Sequence, residues 1–175
     1  RDDFRLVTTE RELHQLVAVL RAAPLIAFDT ETTSIDAMRA SIVGVSFAVA
    51  PGEGAYVPLA HDYLDAPQQL NREDVLEALR PLLEDPDQEK VGQNLKYDCT
   101  VLSHHGISLA GLRFDTMLES YVLDSTGSRH DMDTLALKHL GHKTISYEEV
   151  AGKGKGQLSF NEVPLEQAGP YAAED

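Results

Sequence analysis

The stretch Leu25-Ile26-Ala27-Phe28-Asp29-Thr30-Glu31-Thr32 joins a short apolar run to a pair of acidic residues. The apolar run follows Pro24 and predicts a buried strand. Because side chains two apart on a strand point to the same face, Asp29 and Glu31 are expected to project together from its end. In a chain with 29 acidic residues, such a pair is also compatible with a solvated strand end. A charge at the end of an apolar strand has no packing role, however, and this favours a functional site.

Two further acidic motifs lie far along the chain. The segment Val91-Gly92-Gln93-Asn94-Leu95-Lys96-Tyr97-Asp98 predicts a short strand that turns into a helix near Asn94. In the segment Tyr171-Ala172-Ala173-Glu174-Asp175, Tyr171 and Asp175 are four residues apart and share one face of a helix. Taken singly, Asp98 is compatible with a helix start favoured by the helix dipole, and Tyr171 with a solvent-facing helix stripe. The ordered set of three motifs is much more specific than any one of them.

Carboxylates that converge from distant parts of a chain indicate metal binding, and here the candidates are Asp29, Glu31, Asp98 and Asp175. Unpaired carboxylates in a site of low dielectric are costly, so such a cluster implies compensating cations. Oxygen ligands without nearby His or Cys favour Mg²⁺ or Mn²⁺ over zinc. The best use of such a set is to hold a pair of divalent ions for phosphodiester cleavage.

Composition limits the class of protein. With 175 residues, of which 42% are hydrophobic, the chain is long enough for one domain with a real core. Its single cysteine, Cys99, excludes an intrachain disulfide and fits a reducing cytoplasm. No apolar run approaches the ~18 residues of a membrane span. The first residues, from Arg1, show neither an initiator Met nor a signal-peptide pattern, so we expect a piece of a longer protein.

The charge of the chain opposes a simple nucleic-acid-binding role. A formal net charge of −14 has the wrong sign for holding DNA by phosphate neutralisation. Bound metal ions would reverse the potential locally at the acidic site. We therefore expect this chain to bind DNA only weakly by itself.

Local patterns predict alternating strands and helices. Strands first, followed by alternating helices and strands, predict an α/β fold with a mixed sheet and helices on its faces. The predicted strands are 25–28, 42–49, 55–59, a short one near Lys90 and a further one at 107–109, with the turn of a hairpin at 52–54. Six helices are predicted. The first follows a capping box at 9–12, the second spans 71–83 and the third runs from Asn94 to an end at Gly106. The fourth spans 116–123 after an Asp115 cap, the fifth includes Leu135 to Leu140 after an Asp133 cap, and the last begins near Pro164 or Leu165.

The motifs AFDTET, VGQNLKYD and YAAED resemble the three exonuclease motifs of the DEDD superfamily, in the subclass with a Tyr four residues before the last Asp. Further segments make the resemblance closer: GAYVPLAHDYLDAP, FDTMLESYVL, RHDMDTLA and HKTISYEEVAGKGKGQLSF. Together they resemble the 3′–5′ proofreading domain of bacterial DNA polymerase I, over residues 25–175. The resemblance implies a ribonuclease-H-like fold and one exonuclease domain, 1–175, cut at its last motif.

The resemblance also implies a role for each residue of the motifs. Asp29 would bridge two divalent ions, with Glu31 and Asp175 on the first ion and Asp98 on the second. Tyr171 would orient a water for in-line attack on the terminal phosphodiester. The product would be a nucleoside monophosphate released from the 3′ end of DNA.

Substrate contacts are implied at four further residues. Frayed 3′ ends are single-stranded and are held by stacking and by backbone contacts. Ile35 and Tyr147 are similar in place to family residues that flank the terminal base, and their alternative is a core role. Asn94 and Arg129 are candidates for the sugar-phosphate backbone, and their alternatives are a helix cap and a surface charge.

Three functions stay open on the sequence. The leading one is a metal-dependent 3′–5′ exodeoxyribonuclease that proofreads within a bacterial DNA polymerase I, for replication and repair in the cytoplasm, at nucleoid DNA. Its partners would be a single-stranded DNA 3′ end and a polymerase domain of the same chain, with no membrane. The second is a free-standing 3′–5′ exoribonuclease with the same acids and Tyr. The third is an exonuclease-like module without catalysis, which the cut at Asp175 would favour because terminal residues fray.

Overall fold

The strand that carries Asp29 lies inside a six-stranded mixed sheet in the computed structural model, which describes residues 3–127 and 129–174. The strands are β1 (Asp3–Leu6), β2 (Leu25–Thr32), β3 (Ile42–Ala50), β4 (Glu53–Pro58), β5 (Glu89–Gly92) and β6 (Leu112–Asp115). Their order across the sheet is β1-β4-β3-β2-β5-β6. β2, β3 and β4 pair antiparallel, whereas β1 joins β4, β5 joins β2 and β6 joins β5 in parallel. The predicted mixed α/β sheet is confirmed.

The helices pack on both faces of this sheet. They are α1 (Glu10–Ala22), α2 (Arg72–Leu83), α3 (Leu95–Ser103), α4 (Thr116–Leu123), α5 (Met132–Leu140), α6 (Tyr147–Ala151) and α7 (Leu165–Glu174). On one face, the apolar sides of α1, α2 and α3 share a core with Ile26, Phe28 and Val45 of the sheet. On the other face, Ala168 and Ala172 of α7 pack with Tyr56 and Phe160. None of the helices in the described ranges is long and apolar enough to cross a membrane.

Local signals place several elements correctly. Thr9 and Glu12 form the predicted capping box, with Glu12 N donating to Thr9 Oγ1 and the Glu12 carboxylate accepting from Thr9 N. Asn71 caps α2 by accepting from Asp74 N, and β3 and β4 form the predicted hairpin. Asp115 caps α4 as predicted.

Four expectations about local structure were wrong or incomplete. The strand expected at 107–109 lies instead at Leu112–Asp115, because the chain reaches β5 only after the turn at Gly111 (φ +72°). Asp131 rather than Asp133 caps α5, since its Oδ1 accepts from Thr134 N, and Asp133 accepts from Thr144 Oγ1.

The helix α3 ends before Gly106, and β1 was not predicted at all. The last residue of α3 is Ser103 rather than Gly106, although Gly106 adopts the expected left-handed backbone (φ +69°). β1 is short and partly exposed, so it lacks the apolar run that marks the other strands.

Candidate active site

Asp29 and Glu31 lie at the end of β2, beyond the part of the strand that pairs with β5. β5 pairs only with Leu25 to Ala27, whereas β3 continues alongside, with Asp29 opposite Ser46 and Glu31 opposite Gly44. The register shifts after Glu31, which marks an irregularity at the end of the pairing. Asp29 is half-buried and Glu31 is buried, with 9% of its surface exposed. Both acids therefore lie in a partly dehydrated part of the sheet, as the apolar run predicted.

Asp98 enters the same region from the first turn of α3 and is only 1% exposed. Its Oδ1 accepts two hydrogen bonds from Thr30, one from the backbone N at 3.1 Å and one from Oγ1 at 2.6 Å. Thr30 stands between Asp29 and Glu31, so Asp98 is tied to the residue that separates the other two acids. Sequence reasoning missed Thr30, because nothing in the first motif marks it as a partner of a residue 68 positions away.

The environment of Asp98 favours its neutral form. Burial raises the pKa of the Asp98 carboxyl to about 7, and the two hydrogen bonds from Thr30 lower it only partly. A buried carboxylate of this kind is stabilised by a nearby cation. The carboxylate oxygens at β2 and α3 are of the kind that a hard divalent ion prefers as ligands.

Tyr171 is held in an aromatic cluster with Phe160 and Tyr147, and burial and the charge of Glu31 both raise the pKa of Tyr147. The ring of the buried Phe160 lies 5.7 Å from the Tyr171 ring and 6.5 Å from the Tyr147 ring, and the rings of Tyr147 and Tyr171 are 6.2 Å apart. The Tyr147 hydroxyl donates to Leu158 O at 2.9 Å. The fold thus brings together two residues predicted for the site, and Phe160 is a supporting residue that the sequence did not single out.

A buried His–Tyr pair extends this cluster under Glu31. His61 Nδ1 is 3.0 Å from the carbonyl of Val163, so this nitrogen carries the proton, and His61 Nε2 accepts from the Tyr56 hydroxyl at 2.7 Å. The Tyr56 side chain lies directly over Gly44, where a Cβ would come within 2.2 Å of the Tyr56 oxygen. Gly44 is the partner of Glu31 across the strands. Burial raises the pKa of Tyr56, and the negative charge of Glu31 adds to this.

The remaining predicted contacts fall in different environments. Ile35 is fully exposed, which excludes the core alternative, and Tyr147 is half-buried. Asn94 has a left-handed backbone (φ +59°), and its side chain makes no cap hydrogen bond within the described part of the chain. The Arg129 side chain is 87% exposed, with its Nε 3.2 Å from Asp131 Oδ2. The surface-charge alternative therefore still applies to Arg129, and the substrate roles stay predictions.

Asp175, the fourth predicted metal ligand, lies outside the described residues. Among residues 3–127 and 129–174, the structure groups no three His, Cys, Asp or Glu side chains closely enough to hold a metal ion. Because one of the four acids is not in those ranges, the complete ligand set stays a prediction. What the described structure provides is Asp98, tied through Thr30 to the strand of Asp29 and Glu31.

The sheet order, the helices on both faces and the acids at the end of β2 define an α/β domain with an acidic candidate site. A family model described as 3′–5′ exonuclease matches residues 4–175. The chain belongs to this 3′–5′ exonuclease family, which confirms the resemblance seen in the motifs.

Relatives of high identity are bacterial DNA polymerases I. The chain is 60% identical over 175 residues to DNA polymerase I of Pseudomonas aeruginosa and 46% identical over 193 residues to that of Rhizobium leguminosarum. In each case the match covers 99% of this chain and 19% of the relative. The chain thus spans about a fifth of the length of these curated relatives.

Solved structures share the fold at lower identity. Trypanosoma brucei RNase D aligns with a TM-score of 0.72 at 19% identity, over 97% of this chain and 61% of that one. Brucella melitensis NrnC with bound Mg²⁺ aligns with a TM-score of 0.59 at 21% identity, over 87% of this chain and 68% of that one. These similarities support the ribonuclease-H-like fold expected from the motifs.

Proposed function

We propose that the chain is the proofreading 3′–5′ exonuclease domain of a bacterial DNA polymerase I. The domain would span residues 1–175 and remove mononucleotides from frayed or mismatched 3′ ends of DNA. The observation that carries this proposal is the buried Asp98, hydrogen-bonded to Thr30 between Asp29 and Glu31, in a chain 60% identical to a DNA polymerase I. Such a protein would act in the bacterial cytoplasm, on nucleoid DNA.

The proposed cofactors are two divalent ions, Mg²⁺ or Mn²⁺. Asp29, Glu31, Asp98 and Asp175 would hold them with oxygen atoms alone, and the buried carboxyl of Asp98 would gain a compensating charge. Among proteins of the same fold, the NrnC structure contains Mg²⁺. When bound, such ions activate a water and stabilise the leaving 3′ oxygen.

The protein's own side chains would place the reactants. Tyr171 would orient the attacking water, and its ring is fixed against Phe160 and Tyr147. Because packing already fixes the ring, little further entropy is lost when the hydroxyl on this ring aligns a reactant. Thr30 would keep Asp98 in place through its two hydrogen bonds.

The substrate would be a single-stranded 3′ end. Ile35 is fully exposed just after the first motif, and so can contact a base without rearrangement of the core. Tyr147 would flank the same base, while Asn94 and Arg129 would contact the sugar-phosphate backbone. Since the net charge of −14 opposes DNA binding, a polymerase domain of the same longer chain would supply most of the grip on the duplex.

A second candidate is a 3′–5′ exoribonuclease. It is favoured by the fold shared with RNase D, of which one structure is a complex with RNA U12 (TM-score 0.65, 20% identity). The relatives of higher identity are DNA polymerases, which favours DNA. An inert module is disfavoured because the acids Asp29, Glu31 and Asp98 are all present in the chain. Asp29 is half-buried, and Glu31 and Asp98 are buried.

The test is Mg²⁺-dependent shortening of a 5′-labelled single-stranded DNA, beside an RNA of the same sequence. Asp29→Ala and an EDTA sample are the controls. Stepwise loss from the 3′ end of DNA, absent in both controls, is the expected result. Faster loss from RNA would favour the exoribonuclease. Absence of cleavage on both substrates would favour the inert module, provided that a longer chain also fails.

A further inference from the structure

The carboxylate of Asp115 is the common acceptor of four backbone N–H groups from two different helices. Its Oδ1 accepts from Asn94 N at 3.1 Å, from Met117 N at 3.0 Å and from Leu118 N at 3.2 Å. Its Oδ2 accepts from Leu95 N at 2.8 Å. Capping of α4 by Asp115 follows from the sequence, whereas the two bonds to the start of α3 come from residues 20 and 21 positions earlier in the chain.

The start of α3 depends on this distant carboxylate. α1, α2 and α5 each begin with a side chain that caps its own helix: Thr9, Asn71 and Asp131. α3 begins after Asn94, which has a left-handed backbone, a conformation that Asn adopts more readily than most residues other than glycine. Asn94 provides no such side-chain cap within the described residues. Asp115 supplies the missing acceptor from the end of β6.

The sheet explains how Asp115 reaches α3. β5 and β6 run parallel, and Gly92 at the end of β5 pairs with Asp115 at the end of β6. α3 and α4 follow these two strands directly, so their amino-terminal ends lie side by side. A second contact joins the same ends, since Thr116 Oγ1 donates to Gln93 Oε1 at 2.5 Å.

We propose that Asp115 is a positioning residue that sets the entry of α3, and thereby places Asp98 and Asn94 for the proposed exonuclease reaction. Asp98 lies three residues after Leu95, whose N–H Asp115 binds, and within the same helical turn. The 2.6 Å bond between Asp98 and Thr30 leaves little room for a shift of this turn. Metal sites require ligands held within about 0.5 Å of the working geometry. This inference rests on the proposed function for its consequence in catalysis, but not for its structural part.

The first test measures amide hydrogen exchange of Thr30 in chelator, with no metal bound. Thr30 N donates to Asp98 Oδ1, so its protection reports where that carboxylate lies. Asp115→Ala should lower protection of Thr30 at least about tenfold more than it lowers protection of core amides. Asp115→Asn keeps one acceptor oxygen and should lie between wild type and Asp115→Ala. Asn71→Ala is the matched control, because it removes a cap from α2, which carries no predicted site residue.

The second test measures Mn²⁺ binding by calorimetry for the same variants. Residues that orient metal ligands typically contribute about 10–100-fold to metal affinity, so Asp115→Ala should weaken Mn²⁺ binding in that range and Asn71→Ala should not. Equal Thr30 protection and equal Mn²⁺ affinity in Asp115→Ala and Asn71→Ala would overturn the inference. If wild type itself neither binds Mn²⁺ nor shortens DNA, the proposed function fails, while the exchange of Thr30 still decides whether Asp115 positions α3. If Asp115→Ala does not fold, Asp115→Asn decides both measurements.

Discussion

At least half of the residues in each of the helices α1, α2, α4 and α5 are apolar, but the two pairs bury these residues to very different extents. α2 buries five apolar residues against the sheet, among them Leu79, which has 0% exposure. Within the described ranges, α4 and α5 contain no buried residue. We call the exposed set on these two helices the α4–α5 surface: Leu118, Tyr121, Val122, Leu123, Leu137 and Leu140.

The difference follows from where each pair of helices lies on the sheet. α1 and α2 cover the face of β2, β3 and β4, where neighbouring strands provide a broad apolar floor. α4 and α5 follow β6, which is the last strand in the order of the sheet. No further strand beyond β6 in the described sheet provides an apolar surface for these two helices. Apolar periodicity therefore indicates which side of a helix makes contacts, but the position of the helix on the sheet decides whether these contacts occur within the described residues. Exposed apolar surfaces of this extent commonly mark contact sites.

The largest expected effect is on catalysis at the buried end of β2. Asp29→Ala should reduce DNA shortening on the order of a thousandfold, because a metal-held charge is worth several kcal/mol in the transition state. Tyr171→Phe keeps the ring packing against Phe160 and should retain partial activity, about one to ten per cent. Single-turnover rates on 5′-labelled DNA provide the measurement, and circular dichroism checks that both variants are folded. Wild-type rates in both variants would refute the assigned roles.

The contrast in burial predicts a contrast in stability. Leu79→Ala should lower the free energy of unfolding by about 2–5 kcal/mol, because it opens a cavity in a core that excludes water. Leu140→Ala makes the same chemical change on the α4–α5 surface, where Leu140 is 79% exposed, and should cost less than about 0.5 kcal/mol. Urea titration of the two variants beside wild type measures both. Similar losses in the two variants would mean that the α4–α5 surface is buried in solution.

Sequence reasoning succeeded where the signal is local. The cap of α1, the hairpin of β3 and β4, and the bounds of α4 depend on residues a few positions apart. The candidate acids Asp29 and Asp98 were found through motifs, and their roles remain predictions. The bond between Thr30 and Asp98, and the bonds from α3 to Asp115, could not be predicted, because they join segments whose separation is set only once the sheet has formed.

A third prediction concerns the buried pair under Glu31, on the well-packed side of the molecule. Burial lowers the pKa of His61 from its ordinary value of 6.5 to about 4, against the opposing effects of the Val163 carbonyl and Asp62. The unfolded state therefore binds more protons than the folded state between about pH 6.5 and pH 4. Stability from neutral His61 is fully present above about pH 6.5 and is lost as the pH falls toward 4, by at most about 3 kcal/mol.

The measurement that isolates His61 is a difference between two proteins at each pH. Wild type and His61→Gln are unfolded by urea from pH 7.5 to pH 4 in chelator. The advantage of wild type in the free energy of unfolding should shrink as the pH falls. Only wild type has an imidazole at position 61 that stays neutral in the folded state and takes up a proton on unfolding. An advantage that is constant across this range would show that His61 does not titrate in the interval and that its role is packing alone.

The smallest expected effect tests the α4–α5 surface directly. Val122 and Leu123 are each 83% exposed at the end of α4, so replacing both with Ser removes apolar surface that water already contacts. The free energy of unfolding should change by less than about 0.5 kcal/mol, and the rate of DNA shortening should stay that of wild type. Binding of a hydrophobic dye should fall, because the replaced side chains belong to the exposed apolar set. A loss of activity at unchanged stability would show instead that the end of α4 takes part in holding the substrate. The α4–α5 surface would then have a function in substrate binding.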